Sequence, residues 1–298
     1  MPTLNYRCGR VQEDDSGMFA TSVARIGSLA LQLEVGVTPK PGLVDRDNTG
    51  AHQDMDFLMF MDSAQALYPY FCEITDKAMA YTGEVSQLLE KLQPIGIEAE
   101  AAMFRATNGV NTHKGALFSM GVMCAAAGIM ASRPEQYPNT YASLSQLCAQ
   151  ICQGKVREAV DLQTKGQGIY KTYGLRGILG EAAAGYPHVF DLALPLLDGY
   201  LAQGLTTDQA GVMTLLQLIA VVEDTNIVAR HGMATLQGVQ AQVKQGLQTC
   251  IAPQSFMDYA QVLDQQFIQR NISPGGCADL LALAFFVHDL FHAPVQKP

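Results

Sequence analysis

Five polar junctions in the 298-residue sequence combine glycine, amide, carboxylate and basic residues in patterns able to bind an anion and move a proton. The first, Glu34–Asp56 (EVGVTPKPGLVDRDNTGAHQDMD), sets Lys40 between two prolines, which predicts an extended backbone that presents the ammonium outward. Asp45, Arg46, His52 and Asp54 follow, so one loop offers phosphate contacts, magnesium carboxylates and a general base. Capping of the next helix accounts for a single aspartate, Asp54 or Asp56. The second junction, Glu100–Gly115 (EAAMFRATNGVNTHKG), ends in Asn111, Thr112, His113 and Lys114 directly ahead of a long apolar run. The free N–H groups of a helix N-terminus attract phosphate, and Lys114 adds a point charge; an ordinary helix cap is the plain alternative. The glycine and lysine spacing of a P-loop is missing.

The third junction, Gly166–Pro187, is glycine-rich and holds Arg176 and Glu181, a set that suits either a ligand-contacting loop or a turn between helices. In the fourth, Glu223–Gly232 (EDTNIVARHG), Asp224 and Asn226 stand at the mouth of an apolar helix, with Arg230 one turn beyond Asn226. A carboxylate and an amide there suit magnesium or ribose hydroxyls; alternatively, Asp224 caps the next helix and pairs with Arg230. The fifth, Arg270–Leu281 (RNISPGGCADLL), puts a double glycine ahead of a helix, which reads as an anion nest or as a helix start with Asp279 in its first turn.

Chemistry spread over five junctions needs a scaffold that gathers it. Apolar residues recur at helical spacing over Met18–Val35, Met55–Tyr81, Ile97–Thr107, Leu117–Ala131, Ser143–Gln153 and Val160–Tyr173. The pattern continues over Val189–Gln203, Thr207–Val222, Met233–Leu247, Phe256–Arg270 and Ala278–Phe291. The two-residue alternation of half-buried strands is nearly absent. Thr206–Thr207–Asp208 and Ser273–Pro274–Gly275–Gly276 are helix-start signals. The expectation is an all-α chain: a flexible segment over 1–17, then one multi-helix catalytic domain over 18–298 with a buried central helix and glycine-rich active-site loops. The uncharged run Gly115–Ser132 supplies that helix. Its Ala, Gly and Ser content, without an aromatic belt, predicts a core helix rather than a membrane span.

Composition narrows the partners. With 48% hydrophobic and 16% charged residues the chain has material for a deep core. A net charge of −9 makes nucleic acid and anionic membrane surfaces unexpected partners. A small anionic substrate is still accommodated, because Lys40, Arg46, Arg105, Lys114, Arg176 and Arg230 all sit in or beside the polar breaks. Seven cysteines, an odd number placed mostly in apolar stretches, and a polar start lacking an apolar core fit free thiols in a soluble, cytoplasmic protein.

Taken together, TPKPGLVDRDNTGAHQDMD, GVNTHKG, GEAAAGYP, DTN and NISPGGCADLL resemble, in content and order, the triphosphoribosyl-dephospho-CoA synthase family. The resemblance implies an all-α transferase that takes ATP and 3′-dephospho-CoA, moves the 5-triphosphoribosyl group onto the ribose 2′-hydroxyl and releases adenine. It further implies that the product is the prosthetic-group precursor for the acyl carrier subunit of citrate lyase or malonate decarboxylase, passed on to a holo-acyl-carrier-protein synthase. On that reading Lys40, Arg46, His52, Asn111, Lys114, Arg176, Asn226 and Arg230 contact substrate. Asp45, Asp54 and Asp224 bind Mg²⁺ or orient ribose, and Glu34, Glu100, His113 and Glu181 are the candidates for proton transfer. Two positions depart from the family pattern: Leu179 stands where an arginine precedes Gly-Glu-Ala, and Glu223 where a glycine precedes Asp-Thr-Asn. They motivate an alternative reading, a catalytically weak nucleotide-binding paralogue with a regulatory role. The sequence is compatible with a homo-oligomer and leaves the oligomeric state open.

Overall fold

Alanine and straight-chain residues lose little freedom in a helix, and this chain is rich in them. The computed structural model describes residues 13–153, 172–175 and 177–292; among these there are twelve α-helices and no strand. Helix α1 (Glu13–Gly36) packs along α2 (Phe57–Ala80). A 3₁₀ turn (Val85–Gln87) leads into α3 (Leu88–Ala106), followed by α4 (Lys114–Ser132) and α5 (Tyr141–Cys152). The second half begins with α6 (Gly177–Ala183) and a π-helical segment (His188–Ala193) that runs into α7 (Leu194–Ala202). Then come α8 (Thr207–Val221), α9 (Thr225–His231), α10 (Met233–Leu247), α11 (Pro253–Gln269) and α12 (Gly275–His292).

Two helices that are apolar on every side form the axes of the core. Between Ala116 and Met130, α4 is buried at every position except Phe118 and meets α1, α2, α3, α5 and α12. It is long and apolar enough to cross a membrane, but 78% of that window is buried inside the protein, so its apolar surface is consumed by packing. Between Ala210 and Ala220, α8 is buried apart from Gln217 and packs on α7, α10, α11 and α12. A capping box starts α8, with Thr206 and Gln209 bonding each other's backbone N–H. The expected all-α domain with a buried central helix is what the chain forms.

Two helix starts differ clearly from the expected ones. The helix expected from Ile97 begins at Leu88. Pro94 and Gly96 read as breaks in sequence, yet the single N–H that Pro94 lacks is outweighed by burial of Leu88, Leu92 and Ile95. Helix α1 starts at Glu13, inside the segment expected to be flexible, whose residues 1–12 lie outside the described residues. The helix expected over Val160–Tyr173 falls there too, except at its last two positions. Between α8 and α9 the chain bends by 58°, and this bend sets Asp224 at the mouth of the apolar α8.

Candidate active site

All five junctions contribute to one cavity of about 740 Å³. In the first, the chain folds back where an extended backbone was expected. The Thr38–Pro39 bond is cis, and Lys40 is buried with its ammonium paired to Glu34 at the end of α1. Both side chains line the cavity. Burial pushes the Glu34 carboxyl above its ordinary pKa, and Lys40 pulls it back down. Asp45 organises the loop: Oδ2 accepts the Lys40 N–H (2.8 Å) and Oδ1 those of Asp47 (2.8 Å) and Asn48 (3.1 Å). Asp264 of α11 braces the same loop, accepting from the Gly42 N–H and the Asn48 amide, each at 2.9 Å. The density of charge that looked chemical in the sequence is largely spent on folding the loop. Arg46 pairs with Asp208 on the surface at 2.5 Å, and Asp54 is exposed; neither they nor Asp45 lines the cavity. Asp56 caps α2, accepting from the Met59 N–H at 2.9 Å. His52 does line the cavity, its Nε2 2.9 Å from Ser273 Oγ, and burial with the nearby Arg230 holds its pKa down.

At the start of α4, Asn111 Oδ1 accepts the Lys114 N–H at 3.2 Å, a cap from the side chain three residues back. Lys114 lines the cavity half-exposed, paired at 2.6 Å with Glu100, which stands off the cavity wall. His113 is buried, with Nδ1 2.8 Å from Ser63 Oγ and Phe60 edge-on at 4.8 Å. Burial first, then Lys40, lowers its pKa to about 3. The ring is therefore neutral near pH 7 and a weak base. Its Nε2 is buried without a partner among the described residues.

At the opposite junctions a buried carboxylate ties two helix starts together. Asp224 Oδ1 accepts the N–H groups of Asn226 (2.8 Å) and Ile227 (3.4 Å), capping α9, while Oδ2 accepts that of Cys277 (3.0 Å) in the first turn of α12. No ion pair joins Asp224 to Arg230 among the described residues. The bare backbone of Gly276 eases this approach, since a Cβ there would stand 3.1 Å from Asp224 Oδ2. Two residues beyond Cys277 along α12, Asp279 reaches the cavity beside Gly115 and makes no hydrogen bond among the described residues. Burial, then the charges of Glu34 and Asp224, push its pKa well above the usual carboxylate range.

The third junction brings a carboxylate–imidazole pair. Glu181 Oε1 accepts the His188 backbone N–H and Oε2 faces His188 Nδ1, each at 2.9 Å. Nε2 is the ring nitrogen this leaves over, on a side chain that lines the cavity. The Glu181 bond raises the His188 pKa, and burial opposes it.

The family model for CitG, ATP:dephospho-CoA triphosphoribosyl transferase, matches residues 20–297. The chain belongs to this family. It is 43% identical over 272 residues to a probable 2-(5″-triphosphoribosyl)-3′-dephosphocoenzyme-A synthase of Pectobacterium carotovorum subsp. carotovorum, a match covering 90% of this chain and 87% of that one. The corresponding synthase of Pectobacterium atrosepticum is 42% identical with the same coverage. A probable synthase of Vibrio cholerae is 41% identical over 276 residues, covering 90% and 88% of the two chains. No solved structure matches the chain.

In this transferase the cavity gathers Glu34, Lys40, His52, Asn111, His113, Lys114, Glu181, Asp224, Asn226 and Arg230 from the residues singled out in the sequence. It does not gather Asp45, Arg46, Asp54 or Glu100, and Arg176 lies outside the described residues. Sequence reasoning missed two titratable residues of the cavity. Asp279 is the one charge in the otherwise apolar opening of α12, and His188 follows a proline seven residues after Glu181. Of the two departures from the family pattern, Leu179 does not line the cavity, whereas Glu223 does, from an exposed position.

Proposed function

We propose that this chain joins the 5-triphosphoribosyl group of ATP to the 2′-hydroxyl of 3′-dephospho-CoA and releases adenine. The single observation that carries this reading is the cavity's division of charge. Lys114, at the start of α4, and Arg230, in the last turn of α9, line it from accessible positions, while the carboxylates of Glu34, Asp224 and Asp279 cluster within. A triphosphate kept through the transfer needs lasting cationic contacts, and the N-termini of α4 and α12 open onto the same space. Loss of adenine builds positive charge on the ribose, which an acidic interior stabilises.

A divalent cation fits the clustered carboxylates of this interior. Among the described residues Asp279 has no hydrogen bond to surrender, and two acidic neighbours already work against its charge. Among the described residues no three of the cavity's carboxylates bring ligand atoms within 4.8 Å of one another. Mg²⁺ would accordingly rest on Asp279 and Glu34, with its other ligands drawn from phosphate and water, and would neutralise triphosphate charge. Lys114 and Arg230 then hold phosphates, Asn226 orients ribose, and neutral His113 donates or accepts a hydrogen bond at the cavity wall. His188, oriented by Glu181, takes the 2′-hydroxyl proton. The product is the precursor of an acyl-carrier prosthetic group, for citrate lyase or malonate decarboxylase, made in the cytoplasm and handed to a holo-acyl-carrier-protein synthase.

Incubation with ATP, Mg²⁺ and dephospho-CoA, followed by chromatography and mass measurement, tests this reading. Adenine and a triphosphoribosyl adduct in equal amounts are expected. Free triphosphoribose instead of the adduct would make the protein a hydrolase. ATP binding with no adenine released would support the regulatory paralogue suggested by Glu223.

A further inference from the structure

Away from the cavity, helices α7 and α12 bring together Asp198, His288 and His292, whose ligand atoms lie within 4.8 Å of one another. No other trio of His, Cys, Asp or Glu does so among the described residues. The histidines stand at i and i+4, a spacing that puts both rings on one face of a helix. Their rings lie side by side, with centroids 4.6 Å apart and planes 22° from parallel. His292 Nδ1 bonds the His288 carbonyl oxygen at 2.9 Å, which fixes the tautomer and leaves the Nε2 lone pair free. His288 Nδ1 lies 2.7 Å from Asp198 Oδ1, and Tyr141 Oη donates to Asp198 Oδ2 at 3.5 Å. Tyr141 is itself seated edge-on against Phe291, at 4.6 Å.

We infer that Asp198, His288 and His292 form a binding site for a Zn²⁺-type transition-metal ion that clamps α7 to α12. Two imidazoles and one carboxylate with a fourth position left to water match the ligand set such ions take. The ion takes the place of the His288–Asp198 hydrogen bond, with the His288 proton carried on Nε2, and binding weakens in acid because imidazole ligands must be neutral. Asp289, the residue after His288, interacts electrostatically with His288, His292 and Arg25; its negative charge favours a cation nearby, and Arg25 offsets part of that charge. The site is distinct from the cavity. His288 follows Asp279 by nine residues, roughly 13 Å along a helix rising about 1.5 Å per residue. Both clamped elements nevertheless lead to the cavity, α12 through Asp279 and α7 through the π-helical segment that carries His188.

The test uses the full-length chain without an affinity tag, stripped of metal and titrated with Zn²⁺ by calorimetry and with Co²⁺ by absorption. One ion per chain is expected, with visible Co²⁺ bands of nitrogen and oxygen ligation and a rise in melting temperature on Zn²⁺ addition. His292→Ala, at an exposed position, should weaken binding at least about 10-fold, and Asp198→Asn about 10- to 100-fold. Asp279→Asn should leave Zn²⁺ binding unchanged. Equal affinity and stoichiometry in His292→Ala and Asp198→Asn would overturn the site. So would near-ultraviolet thiolate–Co²⁺ bands, which would assign the metal to cysteine, or loss of binding in Asp279→Asn alone, which would assign it to the cavity.

Discussion

The Asp279 carboxylate presses against bare backbone at Gly115: a Cβ there would lie 2.3 Å from Oδ2. The contact joins the first turn of α12 to the first turn of α4, and it sets an acid that has no hydrogen-bond partner among the described residues at the positive end of the α4 dipole. Gly115→Ala cannot be accommodated without moving one of the two. Because the displaced group is a cavity side chain rather than packed core, the turnover number is expected to fall about 10²-fold. Helix content by circular dichroism should stay at the parent level. Full activity in Gly115→Ala would show that the position of Asp279 is immaterial to turnover.

Asp279→Asn separates function from stability. The Asp279 pKa is raised on folding, so the folded chain holds that proton more tightly than the unfolded chain does. Folding is then penalised above the ordinary carboxylate pKa, and the penalty fades as pH falls. Removing the charge should raise the melting temperature at pH 8 relative to the parent, with the gap closing toward pH 4. Over the same substitution the Mg²⁺ concentration for half-maximal rate should rise at least about 10-fold. A melting temperature that drops at pH 8 would mean that the carboxylate has a stabilising partner.

Lys114 and Arg46 are both paired, accessible cations, yet only Lys114 lines the cavity. Lys114→Ala should raise the KM for ATP about 10-fold or more, the loss of a charge-assisted phosphate contact. Arg46→Ala should leave KM within twofold, and surface pairs of this kind contribute about 0–1 kcal/mol to stability. Steady-state kinetics on the two variants decides it, and equal KM values would remove Lys114 from the phosphate contacts.

Asp224 is predicted to matter first as a structural group, because both oxygens accept backbone N–H groups from two helix starts. Loss of an N-cap costs about 0.5–2 kcal/mol, and the N–H of Cys277 would be left unbonded as well. Asp224→Ala should therefore unfold several degrees below the parent in a thermal melt, whereas Asp224→Asn should recover part of the loss. An unchanged melt for Asp224→Ala would return the residue to a purely ligand-binding role.

Much of this was legible in the sequence, and the exceptions have physical causes. Helical periodicity and the Thr206 cap are local signals, so the described helices could be read directly, although α1 and α3 start earlier than expected. The five junctions could be singled out because glycine and amide clusters mark loops. Which charges face the cavity could not be, since partners distant in sequence decide it. Arg46 is drawn to Asp208, 162 residues away, and the first loop is braced by Asp264 of α11. Asp279 was passed over because an acid in the first turn of a helix is what the helix dipole favours with no further role. His188 was missed because its neighbour Pro187 and the short turn after Glu181 read as a helix connection.

The Glu181–His188 pair makes the sharpest pH prediction. Glu181 raises the imidazole pKa by bonding its Nδ1, so the protonated ring is favoured in the folded chain. The resulting stability is fully present below the ordinary imidazole value of 6.5 and is lost as pH rises through the raised value. Activity runs in the opposite direction, because a ring that accepts the 2′-hydroxyl proton must first be neutral. Turnover is therefore expected to climb with pH along a limb whose midpoint lies above 6.5. In Glu181→Gln the midpoint should shift to lower pH as the negative partner is lost, and turnover should fall because nothing then fixes the ring. His188→Ala should lose about 10²–10⁴ in rate, the usual worth of one positioned acid or base. A pH–rate profile in which Glu181→Gln keeps the parent midpoint would show that some other group titrates. The acceptor would then have to be sought among the remaining cavity residues, of which His113, with its pKa near 3, is the least suited.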